Sequence, residues 1–489
     1  MRLFWLALVG LVSGTVQAET YIVGAQKMEF GQTGGAPLSW VSCVEDCRSG
    51  EERNAEWFGN DDGSMQWAVP DDSAATTELR NTEFAVTASN DGDATLLIAR
   101  SLSDVAGGPV TIQYRLPGQG HSVDISVSSA VPLRLELATG ESLVPEQLAG
   151  FGEMYSTVRS VLFFDGDIEH FEFDEAPEVI RTPETGSWFG VRNRYWLWFA
   201  HTGANTGVMA SESDVNRPVI AIDVTEGKIS LYSGPTELQA LRAAGSGELS
   251  GVLFAAIWDW LRAISFGLMY LLNWLYGLVG NYGIAIVLLS LTVKILMHPL
   301  TIIAERWQAQ VNVITSAMKP QLDAIKQNYK GEEAHNKVLA VYKEHNVTPF
   351  YTLRSLFGFL IQIPIFIGAF DMLAENFVLG QASFLWISDL AKPDNFAALP
   401  FTLPFFGGYL NLLPFAMTVL TILSAIVQEE ADLTPDLMKQ QRLKLFAMAG
   451  IFFLLFYTFP AGMVLYWTAN NLFHLLKILP ARLMNRGKE

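Results

Sequence analysis

Cysteine is almost absent: the 489 residues include two, Cys43 and Cys47, in the stretch CVEDC. Covalent cross-linking is therefore limited to one bridge. An oxidising compartment would permit a disulfide across this small loop. A redox-active or metal-binding pair is the alternative, weakened by the CxxxC spacing and the lack of a nearby histidine. Basic side chains are scarce in the first half. Residues 19–250 carry 14 of them against 35 acidic ones, whereas residues 251–489 carry 17 against 15. So acidic a first half argues against nucleic acid recognition. No GxxxxGK[ST] loop occurs, so nucleotide-driven work through that motif is excluded.

Apolar residues are plentiful. Half the chain is hydrophobic and its mean hydropathy is positive, which together point to membrane spans. The charge split predicts a soluble acidic domain followed by a membrane domain. At the start, MRLFWLALVGLVSGTVQAET has the form of an export signal: Arg2, an apolar core from Leu3 to Gly14, and small residues at Val16-Gln17-Ala18. A short N-terminal anchor is the alternative. Residues 1–18 are thus read as signal peptide or anchor, and residues 19–250 as an exported domain.

That domain reads as strand. Short β-rich runs (Thr111–Leu116, Val123–Val127, Leu133–Leu137) are punctuated by Pro and Gly, and their number predicts a β-sandwich. GPTELQALRAA reads as a helix after Pro235, leading into the linker GSGELSG. The acid pairs Asp165/Asp167 and Asp174/Glu175 lack calcium-loop spacing and are read as solvated surface.

Five runs are long enough to span a bilayer: Asn281–Ile303, Leu356–Ala374, Leu410–Val427, Lys444–Phe459 and Met463–Leu479. LPFTLPFFGGYL, between the second and third, reads as a packed loop. Val252–Val279 could also span, but basic residues decide otherwise. With five spans, 14 basic side chains fall in the inside loops and tail against one, Lys392, outside. The positive-inside rule favours that arrangement. Residues 251–279 are then an interfacial amphipathic helix with Trp258, Trp260 and Trp274 at headgroup depth, and residues 280–489 the five-span core. Within residues 304–347, Trp307, Val311, Ile314, Met318, Leu322, Ile325 and Tyr329 step by fours and threes. YKGEE breaks the seam, and Val338, Val341, Tyr342 and His345 resume it. A cytoplasmic helical hairpin is predicted.

One lysine, Lys294, sits inside LSLTVKILMHPLT. No other Asp, Glu, Lys or Arg lies between Asn281 and Ile303. A charge near the centre of a membrane helix costs about 2.5–3.5 kcal/mol on insertion scales, so such a residue faces something other than lipid.

These segments resemble the YidC membrane-protein insertases, relatives of the mitochondrial Oxa and chloroplast Alb proteins. The resemblance covers roughly residues 228–489. It rests on LYSGP, GNYGIAIVLLSLTVKILMHPLT, KPQLDAIKQNY, LIQIPIFIGAF and FPAGMVLYWTANNLF, in that order. It implies a non-enzymatic insertase and chaperone, without cofactor, in the inner membrane of a Gram-negative bacterium, with its large domain periplasmic and its C-terminus cytoplasmic. It further implies a hydrated groove holding a positive residue, here Lys294 where arginine is usual. Ser290, Gln362 and Asn470 or Asn471 would line the groove, and Tyr466 and Trp467 occupy positions of client-contacting aromatics. Implied partners are nascent inner-membrane proteins, the Sec translocon, the ribosome or signal recognition particle pathway at the hairpin, and the phospholipid bilayer. Other departures from the family pattern are the cleavable signal, Arg354 within FYTLRSLF, and a short basic tail after Lys477.

Two other functions compete. A secondary transporter or channel would use Lys294 as a solute counter-charge, but no internal repeat joins the five spans. An exported carbohydrate-active enzyme on an anchor needs far fewer spans. For Lys294 itself, the bland alternative is an ion pair with Asp371.

Overall fold

The structure is a computed structural model. It describes residues 18–486, apart from 51–52, 60–61, 147, 174–177, 214, 225–226, 245–246, 349, 352–356 and 428–434. The expected signal segment, the Asp174/Glu175 pair and Arg354 lie outside the described residues. The chain is a sheet-rich N-terminal domain followed by a helical C-terminal region. It divides into two compact units: Met1–Glu146 with Ser156–Ala255, and Gln147–Tyr155 with Ala256–Glu489.

The first unit holds three antiparallel sheets. A four-stranded meander runs Glu19–Val23, Gln26–Phe30, Pro37–Cys43, Asn54–Phe58. A five-stranded sheet is ordered Glu178–Arg181, Val208–Glu212, Pro218–Asp223, Arg134–Ala138, Ser64–Ala68. The third sheet has nine strands, ordered Asp167–His170, Arg159–Phe164, Trp188–Arg192, Trp196–His201, Lys228–Pro235, Ser122–Ser128, Thr111–Pro117, Ala94–Ser101, Phe84–Asp91. Alternation makes these strands: Ile112, Tyr114 and Leu116 are buried on one face of their strand, Val123 and Ile125 on the next. Trp67 of the five-stranded sheet donates its indole N–H to Tyr114 of the nine-stranded one at 3.0 Å. Cys43 and Cys47 are joined by a disulfide, Cα to Cα 5.3 Å. Asp165 and Asp167 are exposed at a hairpin turn where Asp165 and Gly166 take positive φ.

LYSGP acquires a physical reading here. Tyr232 is fully buried and its hydroxyl donates to the Pro235 carbonyl at 2.6 Å. Ser233 meets a buried polar cluster: its carbonyl accepts from Gln26 Nε2 at 2.9 Å and its hydroxyl lies 2.7 Å from that of Ser42. Trp40 and Trp57 donate their indoles to Gln26 and Ser42. The motif thus fastens the nine-stranded sheet to the meander. Two helices complete the unit, α1 (Ser73–Asn81), capped by Asp72, and α2 (Leu238–Ala243).

The second unit contains α3 (Asp259–Val279), α4 (Tyr282–Asn328), α5 (Gly331–Glu344), α6 (Phe357–Glu375), α7 (Leu412–Val427), α8 (Pro435–Phe456) and α9 (Ala461–Arg486). Neighbouring pairs are α3 with α6 and α4, α4 with α9, α9 with α7, and α7 with α8. Among the described residues, α4 is the helix long and apolar enough by itself to cross a bilayer. The structure differs from expectation in three places. Residues Leu399–Leu410 lie not in a loop but largely in a two-stranded hairpin, Ala397–Leu403 with Gly407–Leu410, with Gly407 at φ +81. The amphipathic helix begins at Asp259 rather than Val252, because Val252, Leu253 and Phe254 are buried in the first unit and Phe254 takes a positive φ. Finally, the first predicted span and the first hairpin helix are one helix of 47 residues, about 70 Å at 1.5 Å per residue. It ends where Gly331 takes φ +64 and α5 turns back, with Val311, Met318 and Val341 buried.

Candidate functional site

Asn281 starts α4 by accepting from the Ile284 N–H at 3.1 Å. Lys294 lies twelve positions beyond Tyr282, about 18 Å along the axis, close to half the thickness of a bilayer core. Its stem is not at random. Lys294 Nζ donates to Asn470 Oδ1 at 2.9 Å and to the Asn470 main-chain oxygen at 3.0 Å. Both acceptors are uncharged. No ion pair joins Lys294 to Asp371 among the described residues.

The remaining candidates separate into four groups. Ser290, one turn before Lys294 on α4, is 2% exposed, and its hydroxyl has no hydrogen-bond partner. Asn471 faces α7, donating Nδ2 to Thr421 Oγ1 at 2.8 Å, while Thr421 donates to the Met417 carbonyl at 2.9 Å. Adjacent asparagines thus tie α9 to α4 on one side and to α7 on the other. Tyr466 is buried. Trp467 is half-buried against Phe366 (4.9 Å between ring centroids), Phe452 (5.4 Å) and Phe456 (5.9 Å). Gln362 is exposed on α6 and hydrogen-bonds none of the others.

Sequence reasoning passed over several polar groups near these. His474, one turn after Asn470, lies in the electrostatic field of Lys294, Lys477 and Glu305. Lys477 donates to Glu305 at 2.6 Å, joining α9 to α4 again. Ser424, one turn from Thr421, is buried with an unpartnered hydroxyl. A signal did exist: Asn470, His474 and Lys477 are spaced by four and three on α9, as Lys294, His298, Thr301 and Glu305 are on α4. Two polar faces in apolar helices invite each other. Among the described residues, no group of three or more His, Cys, Asp or Glu could hold a metal ion.

Residues 274–486 match the family described as 60Kd inner membrane protein, so this helical region is similar to that class of proteins. Named relatives narrow the class. The chain is 29% identical over 337 residues to a membrane protein insertase YidC of Pelobacter propionicus, covering 65% of this chain and 58% of that protein. It is 32% identical over 251 residues to the one of Janthinobacterium, 50% and 40%, and 24% identical over 406 residues to that of Geobacter sulfurreducens, 78% and 69%. The helical region of this chain is thus similar to the YidC insertases. It spans about half the length of the first of these relatives (58% and 40%). A solved structure described as an active YidC insertase with the first transmembrane domain resolved aligns over 94% of this chain and 92% of that one. At 18% identity and a TM-score of 0.37, that superposition is too loose to inform individual residues.

Proposed function

We propose that this protein inserts and helps to fold integral membrane proteins in a bacterial inner membrane. In this reading five segments span: the first half of α4, then α6, α7, α8 and α9. The end of α4 and α5 form a cytoplasmic hairpin that meets the ribosome or targeting factors, and the sheet domain is periplasmic. α3 lies in the interface, with Trp258, Trp260 and Trp274 exposed and free to sit at headgroup depth. The Sec translocon is a further partner.

The observation that carries the proposal is the company Lys294 keeps. An ammonium at bilayer depth with only uncharged acceptors keeps its charge unneutralised for an incoming negative group. Ser290, one turn before it on α4, and Ser424 on α7 each keep a buried hydroxyl without a partner. A groove of this kind lets polar parts of a client enter part-way, lowering their desolvation penalty. Acidic residues in a short exported tail are drawn toward Lys294, and the client's apolar segment leaves sideways into lipid.

The test uses one client carrying either an acidic or a neutral tail. Lys294→Arg should insert both, because charge and reach survive. Lys294→Ala should lose the acidic-tail client, and Lys294→Glu should handle it worse still. A wild-type ratio of acidic-tail to neutral-tail insertion in Lys294→Ala would defeat the reading.

A further inference from the structure

Lys294 does not wait in the open. Its ammonium has three donors, and two of them reach a single residue, Asn470, through Oδ1 and the main-chain oxygen. We propose that Asn470 is a built-in stand-in for the client's carboxylate: it holds Lys294 in place between clients and yields its side-chain acceptor to an acidic tail. The proposal rests on the reading of Lys294 as the attracting charge.

Three features of the site support an exchange rather than a permanent bond. The main-chain oxygen of Asn470 lies inside α9, where helix geometry already directs it at the N–H four residues on. The ammonium shares that acceptor, which leaves Oδ1 as the partner that can be replaced. Second, a carboxylate adds the attraction of opposite charges to the hydrogen bond, which a neutral amide oxygen cannot, so an acid wins the exchange. A neutral tail does not. Third, the asparagine spares the lysine an ordering penalty on client arrival, because a long flexible stem is already held in one rotamer. The neighbouring bond from Asn471 to Thr421 at 2.8 Å fits the rotation of α9 that turns Asn470 toward α4.

Asn470 is therefore a positioning and selecting residue, and the quantity that reports on it is a ratio. Full-length protein in membrane vesicles is given one client with an acidic or a neutral exported tail, and the two insertion yields are divided. Abundance of each variant is checked by blot. Asn470→Ala removes the competing acceptor and should raise the acidic-to-neutral ratio, by roughly tenfold for one hydrogen bond from a charged donor. Asn470→Asp gives Lys294 a permanent ion pair and should bring the ratio down to that of Lys294→Ala, with neutral-tail insertion retained. If Asn470→Asp fails to accumulate, the direction of the ratio in Asn470→Ala decides. A ratio unmoved by Asn470→Ala, with Lys294→Ala abolishing tail preference, would overturn the stand-in role and leave the attracting charge intact. A wild-type ratio in Lys294→Ala would remove both.

Discussion

The Trp386 indole donates to Asp394 Oδ2 at 3.0 Å, and that same oxygen accepts the first free N–H groups of α7, from Leu412 at 2.7 Å and Leu413 at 2.9 Å. Asp394 is 4% exposed, yet it caps a helix that begins eighteen residues later. A carboxylate at a helix N-terminus satisfies orphan donors and meets the positive end of the macrodipole. Asp394→Ala should lower stability by about 1–3 kcal/mol, the usual penalty for stranding buried donors. Asp394→Asn should lose less, since one acceptor oxygen survives. Thermal unfolding of the detergent-solubilised protein checks this, and an unchanged midpoint in Asp394→Ala would contradict the cap.

The 14-to-1 distribution of basic residues predicts the topology. A reporter at Gly331 should read cytoplasmic, and one at Phe396, which is 50% exposed, periplasmic. Placing the second fusion at Phe396 leaves the buried cap at Asp394 untouched. Reversal at both sites would mean that α3 spans, and the proposed groove would then open to the wrong side.

In the sheet domain, Asp62 accepts from the Glu141 N–H and pairs with Arg217. These contacts, the backbone hydrogen bond first, hold its carboxyl below the ordinary aspartate value of 3.8. A lowered folded value means that the stabilisation is fully present above pH 3.8 and is lost as pH falls through the folded value. Asp62→Asn should therefore weaken protection of Asn54–Phe58 and Ser64–Ala68 at neutral pH and flatten its further loss in acid. Hydrogen exchange on the full chain at several pH values measures both. Parallel acid profiles for variant and wild type would show that Asp62 is not the group responsible.

Gly234 lies against His121 so closely that an added Cβ would fall 2.4 Å from the imidazole Cδ2. His121 is itself buried, with Nε2 at 3.0 Å from the Cys43 carbonyl, so it has little room to retreat. Gly234→Ala should destabilise the sheet domain by about 1–3 kcal/mol, as overpacking does in well-packed cores. Pairing it with His121→Ala should restore part of the loss. Wild-type resistance of Gly234→Ala to proteolysis would show that the ring moves aside freely.

Much of the architecture was legible in linear order. Thr111–Leu116 and Leu133–Leu137 lie within one residue of observed strands, because alternating burial imposes a period of two that needs no knowledge of partners. Val311 and Met318, read as part of a seam of helical period, are buried on α4. Leu399–Leu410 was misjudged, since Pro404 and the paired glycines resemble a loop until a partner strand pairs with them. The start of α3 was also misplaced. Val252 to Phe254 are as apolar as a membrane segment, and only their burial in the first unit separates them from the helix that follows.

At the site the division is sharper. The sequence by itself determined that a lone lysine lies in an apolar run, that acid and base are split between the halves, and that polar residues recur by helical period on what became α4 and α9. Charge, hydropathy and period are properties of neighbouring residues, so they survive without a fold. Only the tertiary structure decided that Lys294 bonds Asn470, 176 residues away, rather than pairing with Asp371. It also turned Asn471 toward Thr421 and left Gln362 exposed. Two adjacent asparagines point about 100° apart on a helix, and which of them meets the lysine depends on how α9 is rotated between α4 and α7. Packing along the whole length of those helices sets that rotation, and no local stretch encodes it.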